Sequence, residues 1–472
     1  MKKTLFMLIA LMSVVTTACS GGGAGGGAAG NAGNAGGDAP AEGAAPAETA
    51  APKEDTITVW TYPVHATYED DLKELIADFT AANPHIKVEY EMLSWAEGPK
   101  KFDVALNSGN PPDLYFHSVD GQYVASGLAL QLDEFLTDDI KNDYLPGTLE
   151  LGQIQGKQYG LPIYQYQWAW GGNKRILEEA GIDWKKIQQE GWTWSEFLEA
   201  AKKLGKDLPD GTKQYALVTD GNGANNDFIE LLSRNNGIPD VLDKDGNFQF
   251  NDERIVETLQ FIQTMLNEGI MPPETAALDA KTRTDMFYAG QAAIISKAIP
   301  YYDVIIQNRN NDIDAGKVQG EKIDFVLLPV PHNDDAKPQT VMGGEGYVAF
   351  RQKDDKGAEH AKNTFLVMEA LSGAKAGNSA NELCLPFVRK SQAELFTGKG
   401  KANADNLAAA DAMAANRAEV VVLSLPDDQA AKMKQFKEQV LKPNMQALYA
   451  SEKSPDTIAE EFKSRGQSLF GQ

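Results

Sequence analysis

The chain has 472 residues, a formal net charge of −23 and two cysteines. Such acidity argues against a nucleic-acid partner and against direct adhesion to anionic lipid, since both are polyanions. Two cysteines are too few for a cysteine-built zinc site.

Lys2 and Lys3 open the chain, Leu5 to Met12 form a short apolar run, and Thr16-Thr17-Ala18-Cys19 follows. A basic start, an apolar stretch too short to span a bilayer and small residues before a cut site describe a secretory signal over residues 1–18. The Ala18-Cys19 junction resembles the bacterial lipobox, although Thr16 stands where that motif usually has Leu. The resemblance implies that Cys19 is lipidated and becomes the mature N-terminus, on the extracellular face of the cell membrane. Cys384 is then alone, so no internal disulfide is expected. Residues 19–55 continue with Gly, Ala, Asn, Pro and acidic residues that have nothing to bury, which reads as a flexible tether. No later stretch of about 20 apolar residues occurs, so membrane contact is expected through the Cys19 lipid only.

The remaining residues are enough for two lobes with their own cores. Thr56 to Trp60 is a β-rich run, and Leu72, Leu75, Ile76 and Phe79 then recur at helical spacing until Pro84. Ile86, Val88, Tyr90 and Met92 alternate as a second strand. Phe102, Ala105 and Leu106 give a second helix closed by Gly109, and Leu114-Tyr115-Phe116 reads as a buried third strand. Alternating strands and helices of this length mean an α/β fold with a mainly parallel sheet, in which ligands sit at the carboxyl ends of the strands.

Asn110-Pro111-Pro112-Asp113-Leu114-Tyr115-Phe116 and then Gly127 to Phe135 resemble the family 1 extracellular solute-binding proteins, the maltose-binding-protein-like receptors of ABC importers. The similarity continues through Gly156 to Pro162, Asn173-Lys174, Glu179-Ala180-Gly181, Thr193 to Phe197, Asn236-Gly237, Phe287 to Ala293, Leu328 to Pro331 and Leu385-Pro386. From Ala402 onward only a helical pattern matches. The resemblance implies a two-lobed periplasmic-binding-protein-like fold of type II with a hinge. It also implies a monomer that delivers a sugar or oligosaccharide to permease subunits, with no cofactor and no metal. The expected crossings between lobes lie near 162–170, 296–301 and 342–350. They divide the chain into a first lobe of 56–163 plus 297–347 and a second of 164–296 plus 348–472.

Sugars have apolar faces and hydroxyl edges, so a receptor needs flat aromatics and fixed polar groups. Strand ends supply Trp60, Tyr62, Trp95, His117, Ser118 and Asp120 as candidates. Alternation puts Tyr164, Tyr166, Trp168 and Trp170 on one side of a strand and Gln165 and Gln167 on the other. Trp168 and Trp170 are read as an aromatic core face beneath a polar surface. Tyr166 matches a ligand-contacting position of the family, as do Asn225, Asn226, Asp227 and Tyr301. Glu345, in Gly343-Gly344-Glu345-Gly346, lies where the chain changes lobes.

Other signals carry less. Asp243 to Asn247 resembles the start of a calcium loop but has its Gly two positions early, so a hairpin turn is expected. Trp192 and Trp194 are expected to pack. Two further readings stay open: the same fold with a polyamine or other small organic solute, and a glycan-degrading enzyme using two of Asp120, Asp227 and Glu345.

Overall fold

The structure, a computed structural model, describes residues 53–471 apart from 96, 210, 224–225, 341, 397–400 and 419. The signal, Cys19, most of the tether and Asn225 therefore lie outside the described residues.

The chain alternates strand and helix as its periodicity requires: β1 (Asp55–Thr61), β2 (Ile86–Met92) and β3 (Leu114–His117) are separated by helices Tyr68–Ala82 and Gly98–Ser108. A short hairpin, β4 (Gln153–Ile154) and β5 (Lys157–Gln158), precedes β6 (Gly160–Gln167) and β7 (Ala169–Asn173). Then come β8 (Lys206–Asp207), β9 (Lys213–Val218), β10 (Ala292–Ala298), β11 (Phe325–Leu328) and β12 (Met342–Ala349). Two five-stranded sheets result, with orders β2-β1-β3-β12-β6 and β11-β7-β10-β9-β8. In the first, β1 is parallel to β2 and β3, while β12 runs antiparallel between β3 and β6.

Each sheet has its own core. Ile57, Val59, Phe102, Leu114, Phe116 and Val348 belong to the first, and Trp170, Phe197, Leu217, Phe228, Ile294 and Phe436 to the second. Asp113, the acidic residue of the Pro-Pro-Asp turn, ties the first lobe together. Fully buried, it accepts from the Thr58 backbone and hydroxyl at 2.8 Å and from Gln352 Nε2 at 2.6 Å, and it faces His360 Nε2 at 2.9 Å. Burial opposes its ionisation, but these donors hold the carboxyl well below the usual range. His360 presents its other nitrogen to Asp55 at 2.9 Å, so both ring nitrogens face carboxylates, an arrangement that favours the doubly protonated ring against the opposing effect of burial.

The hinge is the passage from β6 to β7. Gln167 ends in the first sheet, Ala169 begins in the second, and Trp168 joins them. The other crossings differ from the expected ones. Helix Tyr301–Asp314 and β11 stay with the second lobe, where Ile306, Phe325 and Leu327 pack with Ala169 and Ile295. The chain returns to the first lobe between Leu328 and Met342. It remains there through helix Ala358–Ser372, whose Phe365, Met368 and Leu371 join the first core, and helix Ala404–Ala414 then packs in the second lobe through Ala409, Ala410 and Met413. Residues 301–328 therefore belong with the second lobe and 348–395 with the first. Amphipathic helices alone do not say which sheet they cover, and that is where the expectation failed.

Two local expectations hold. Asp243 caps a turn, accepting from the Asp245 and Asn247 backbone, with Leu242 bridged to Phe248. Trp192 and Trp194 are buried and donate their indole N–H groups to the Pro329 and Pro331 carbonyls.

Candidate functional site

On the first lobe, the candidate site is built around Glu345 on β12. Its register partner on β6 is Tyr164, whose hydroxyl donates to Glu345 Oε2 at 2.5 Å. Burial pushes the Glu345 carboxyl above its ordinary range, against the Tyr164 hydrogen bond and the nearby His117 ring. Two residues before Glu345, Gly343 lies opposite Tyr166, and a Cβ there would come within 2.5 Å of the Tyr166 ring. The glycine thus makes room for the aromatic, and Ser118 hydrogen-bonds the Tyr166 hydroxyl. His117 stacks on Tyr115 at 5.6 Å, and Tyr115 shares a 2.5 Å hydroxyl contact with Tyr62. Tyr62 is itself fully buried under Trp95, at 4.1 Å between ring centres, and burial pushes its hydroxyl up to about 12. Trp95 is 44% exposed and forms the outer face of this stack.

The second lobe contributes Trp168, Asn226, Asp227 and Lys297. A register shift between Ile295 and Ala298 on β10 puts Lys297 in a left-handed backbone conformation, with φ 56°. Bulges of this kind re-aim a side chain. The Lys297 ammonium reaches Asp227 at 2.5 Å and Asp220 at 3.9 Å, and lies 5.7 Å from the Trp168 ring. Burial disfavours its charge, but Asp227 and Asp220 outweigh that and raise its pKa. Trp168 stands half-buried, 6.2 Å from Tyr166. Asn226 Nδ2 donates to the Lys437 carbonyl. Across the cleft, Lys434 on helix Asp427–Phe436 pairs with Asp120 at 3.3 Å, an ion pair joining the two lobes.

Among the described residues no cluster of three or more His, Cys, Asp or Glu side chains is arranged to hold a metal. No described helix is long and apolar enough to cross a membrane.

The sequence model of the bacterial extracellular solute-binding protein family matches residues 65–378, well over half of the chain. The chain belongs to that family. A Brucella abortus chain named as a binding protein is 25% identical over 231 residues, 48% of this chain and 54% of its own length. The maltotriose-binding protein of Pyrococcus abyssi is 24% identical over 261 residues, 55% of this chain and 50% of its own length. The chain thus spans about half the length of the curated relatives it matches. A maltose/maltodextrin-binding domain from Bdellovibrio bacteriovorus, solved with maltotriose, superposes with a TM-score of 0.66 at 20% identity, over 88% of this chain and all of that one. The fold is the type II two-lobed one.

In this solute-binding protein the expected residues separate into groups. His117, Ser118, Tyr166 and Glu345 form one cluster, with Tyr62 and Trp95 behind it, while Asp120 and Asp227 are both paired with lysines. Trp60 takes another environment, under the Lys101 ammonium at 4.4 Å, and Lys101 also pairs with Glu91. Tyr301 opens its helix at the hinge, packs against the first core and takes a hydrogen bond from the Ala66 backbone. Trp170 is core, stacked near Phe228 at 6.0 Å. Gln165 and Gln167 are buried rather than exposed: Gln165 accepts from Arg417 and Gln167 donates to the Ala410 carbonyl. The later helical segment covers that face. Sequence reasoning missed Tyr164, Lys297 and Lys434. A lysine inside the apolar run Ala292–Ala298 was the available signal, because buried lysine is rare unless paired.

Proposed function

We propose that the protein is a lipid-anchored receptor that captures a neutral sugar or oligosaccharide between its lobes and delivers it to the permease of an ABC importer. One observation carries the reading: Tyr166 and Trp168 meet at the hinge beside carboxylates from both lobes that are already ion-paired, as Asp120 and Asp227 are, or hydrogen-bonded, as Glu345 is, within the chain. Flat rings suit sugar faces, and fixed hydroxyls and carboxylates suit their edges. The relatives support the same class, since curated family members include maltotriose-binding and arabinooligosaccharide-binding proteins. A polyamine fits poorly beside Lys297 and Lys434. A glycosidase needs one carboxyl as acid and another as base or nucleophile on either side of one bond. Here Asp120 and Asp227 are neutralised by lysines and Glu345 is bound by Tyr164, an arrangement suited to holding hydroxyls. The Cys19 lipid would hold the lobes at the outer face of the cell membrane.

The test is calorimetry against a panel of neutral mono- and oligosaccharides, with spermidine and amino acids as competitors, followed by chromatography of the recovered ligand. One-to-one binding of a saccharide that is recovered unchanged is expected. Binding of spermidine alone, or product in excess of protein, refutes the proposal.

A further inference from the structure

Helix Gly121–Ala125 of the first lobe and helix Asp427–Phe436 of the second touch across the cleft, and Gly121 is suited to that contact. Its backbone is not in the left-handed region, so its own conformation does not call for a glycine. The three atoms nearest an added Cβ all belong to Ala430, which the Cβ would overlap. The missing side chain therefore makes room for the other lobe. Ala430 is in turn 1% exposed and belongs to the second core.

The charges beside this contact are divided to match it. Asp120 caps its helix with Oδ1, which accepts from the Gln122 N–H at 2.8 Å, and turns Oδ2 to the Lys434 ammonium at 3.3 Å. The two side chains are only 24% and 26% exposed. Lys434 also lies 5.8 Å from the Tyr123 ring, within reach of a cation–π attraction. Burial disfavours its charge, but Asp120, then Asp103 on the first lobe and Glu438 on its own, outweigh this and raise its pKa. Both ends of the pair stand at the cleft wall. Two residues before Asp120, Ser118 holds Tyr166, and three residues past Lys434 the Lys437 carbonyl takes the Asn226 side chain.

We propose that the Gly121–Ala430 contact and the Asp120–Lys434 pair form a latch that holds the lobes shut before any solute arrives, so that capture begins with its opening. The inference rests on the cleft being the solute site. In an open arrangement the glycine would serve no contact, Ala430 would face water and Lys434 would lose the carboxylates of the first lobe. A partly solvated ion pair holds only modestly, so the latch can open and reclose. Keeping the closed form populated spares a solute the cost of closing the lobes, which raises its affinity and slows its entry.

Small-angle scattering of the ligand-free full chain, refolded from denaturant to strip any bound solute, tests this. Lys434→Glu sets a carboxylate against Asp120 and Asp103 and should enlarge the radius of gyration relative to the wild type. Adding Asp120→Asn, which keeps the helix cap and removes one charge, should reverse at least half of that increase. Melting temperatures should be little changed, because each lobe keeps its own core. Equal radii for wild type and Lys434→Glu, or a double variant as expanded as the single one, overturn the latch. Should Lys434→Glu fail to fold, Lys434→Met removes the charge alone, and an unchanged radius for it overturns the latch likewise. No solute is present in these samples, so the result is read apart from the saccharide titrations, whose failure would strike the solute and not the closure.

Discussion

Replacing Lys297 by Met keeps the length of the side chain and removes its charge. The ammonium sits 2.5 Å from Asp227, with the two side chains only 15% and 19% exposed. At an effective dielectric of about 20 the gross attraction is about 6–7 kcal/mol, much of it offset by desolvation of both ions. Truncating one partner leaves the other buried and uncompensated, which typically costs about 3–5 kcal/mol; the residual exposure here lowers the expectation to about 2–4 kcal/mol. Asp220 is not stranded, because Arg283 holds it at 2.8 Å. Urea unfolding of Lys297→Met should therefore show a loss of about 2–4 kcal/mol, and adding Asp227→Asn should restore at least half of it. A loss below about 1 kcal/mol, or a double variant no more stable than the single one, refutes the reasoning that the cleft charges are paired within the chain.

Three other outcomes follow, two from the geometry and one from the Ala18-Cys19 junction of the sequence. A Cβ on Gly121 would come within 2.1 Å of the Ala430 Cβ across the cleft, so Gly121→Val should push helix Gly121–Ala125 away from helix Asp427–Phe436. A larger radius of gyration and weaker ligand binding, with the melting temperature little changed, would register this. His360 is opposed by burial, but its contacts to Asp113 and Asp55 raise its pKa, so it adds stability below about pH 6.5 that is lost as pH rises through its folded value. The carboxyls of Asp113 and Asp55 are held low and add stability above about pH 4 that is lost in acid. Denaturant titrations from about pH 3 to pH 9 should show both flanks, and His360→Gln should flatten the alkaline one. Cys19→Ala should release the protein into the medium or block its processing with the fold intact, as fractionation would show; unchanged membrane retention contradicts the lipid anchor.

The first lobe was legible because its signals are local. The alternation in Ile86–Met92, the stop at Pro84 and the Pro-Pro-Asp turn each set one element, and the elements fall in the expected order. The allocation of 301–328 and 348–395 was not legible, because helical periodicity marks a buried face without saying which sheet receives it. The aromatic stripe from Tyr164 to Trp170 was only half readable. Its pleat is interrupted where the chain leaves one sheet for the other at Trp168, so Trp170 enters a core while Trp168 stays half-buried beside Tyr166. Lys434 could not be placed from the sequence, since its partner Asp120 lies more than 300 residues earlier and on the other lobe.

In the proposed function the hinge aromatics Tyr166 and Trp168 hold a neutral saccharide. Calorimetric titration of wild type and Trp168→Ala with the saccharide panel tests it most directly. One neutral oligosaccharide should bind the wild type one-to-one, and Trp168→Ala should bind it at least about tenfold more weakly, a loss of about 1.4 kcal/mol or more. Equal affinity in both proteins, or binding confined to charged solutes, would contradict it.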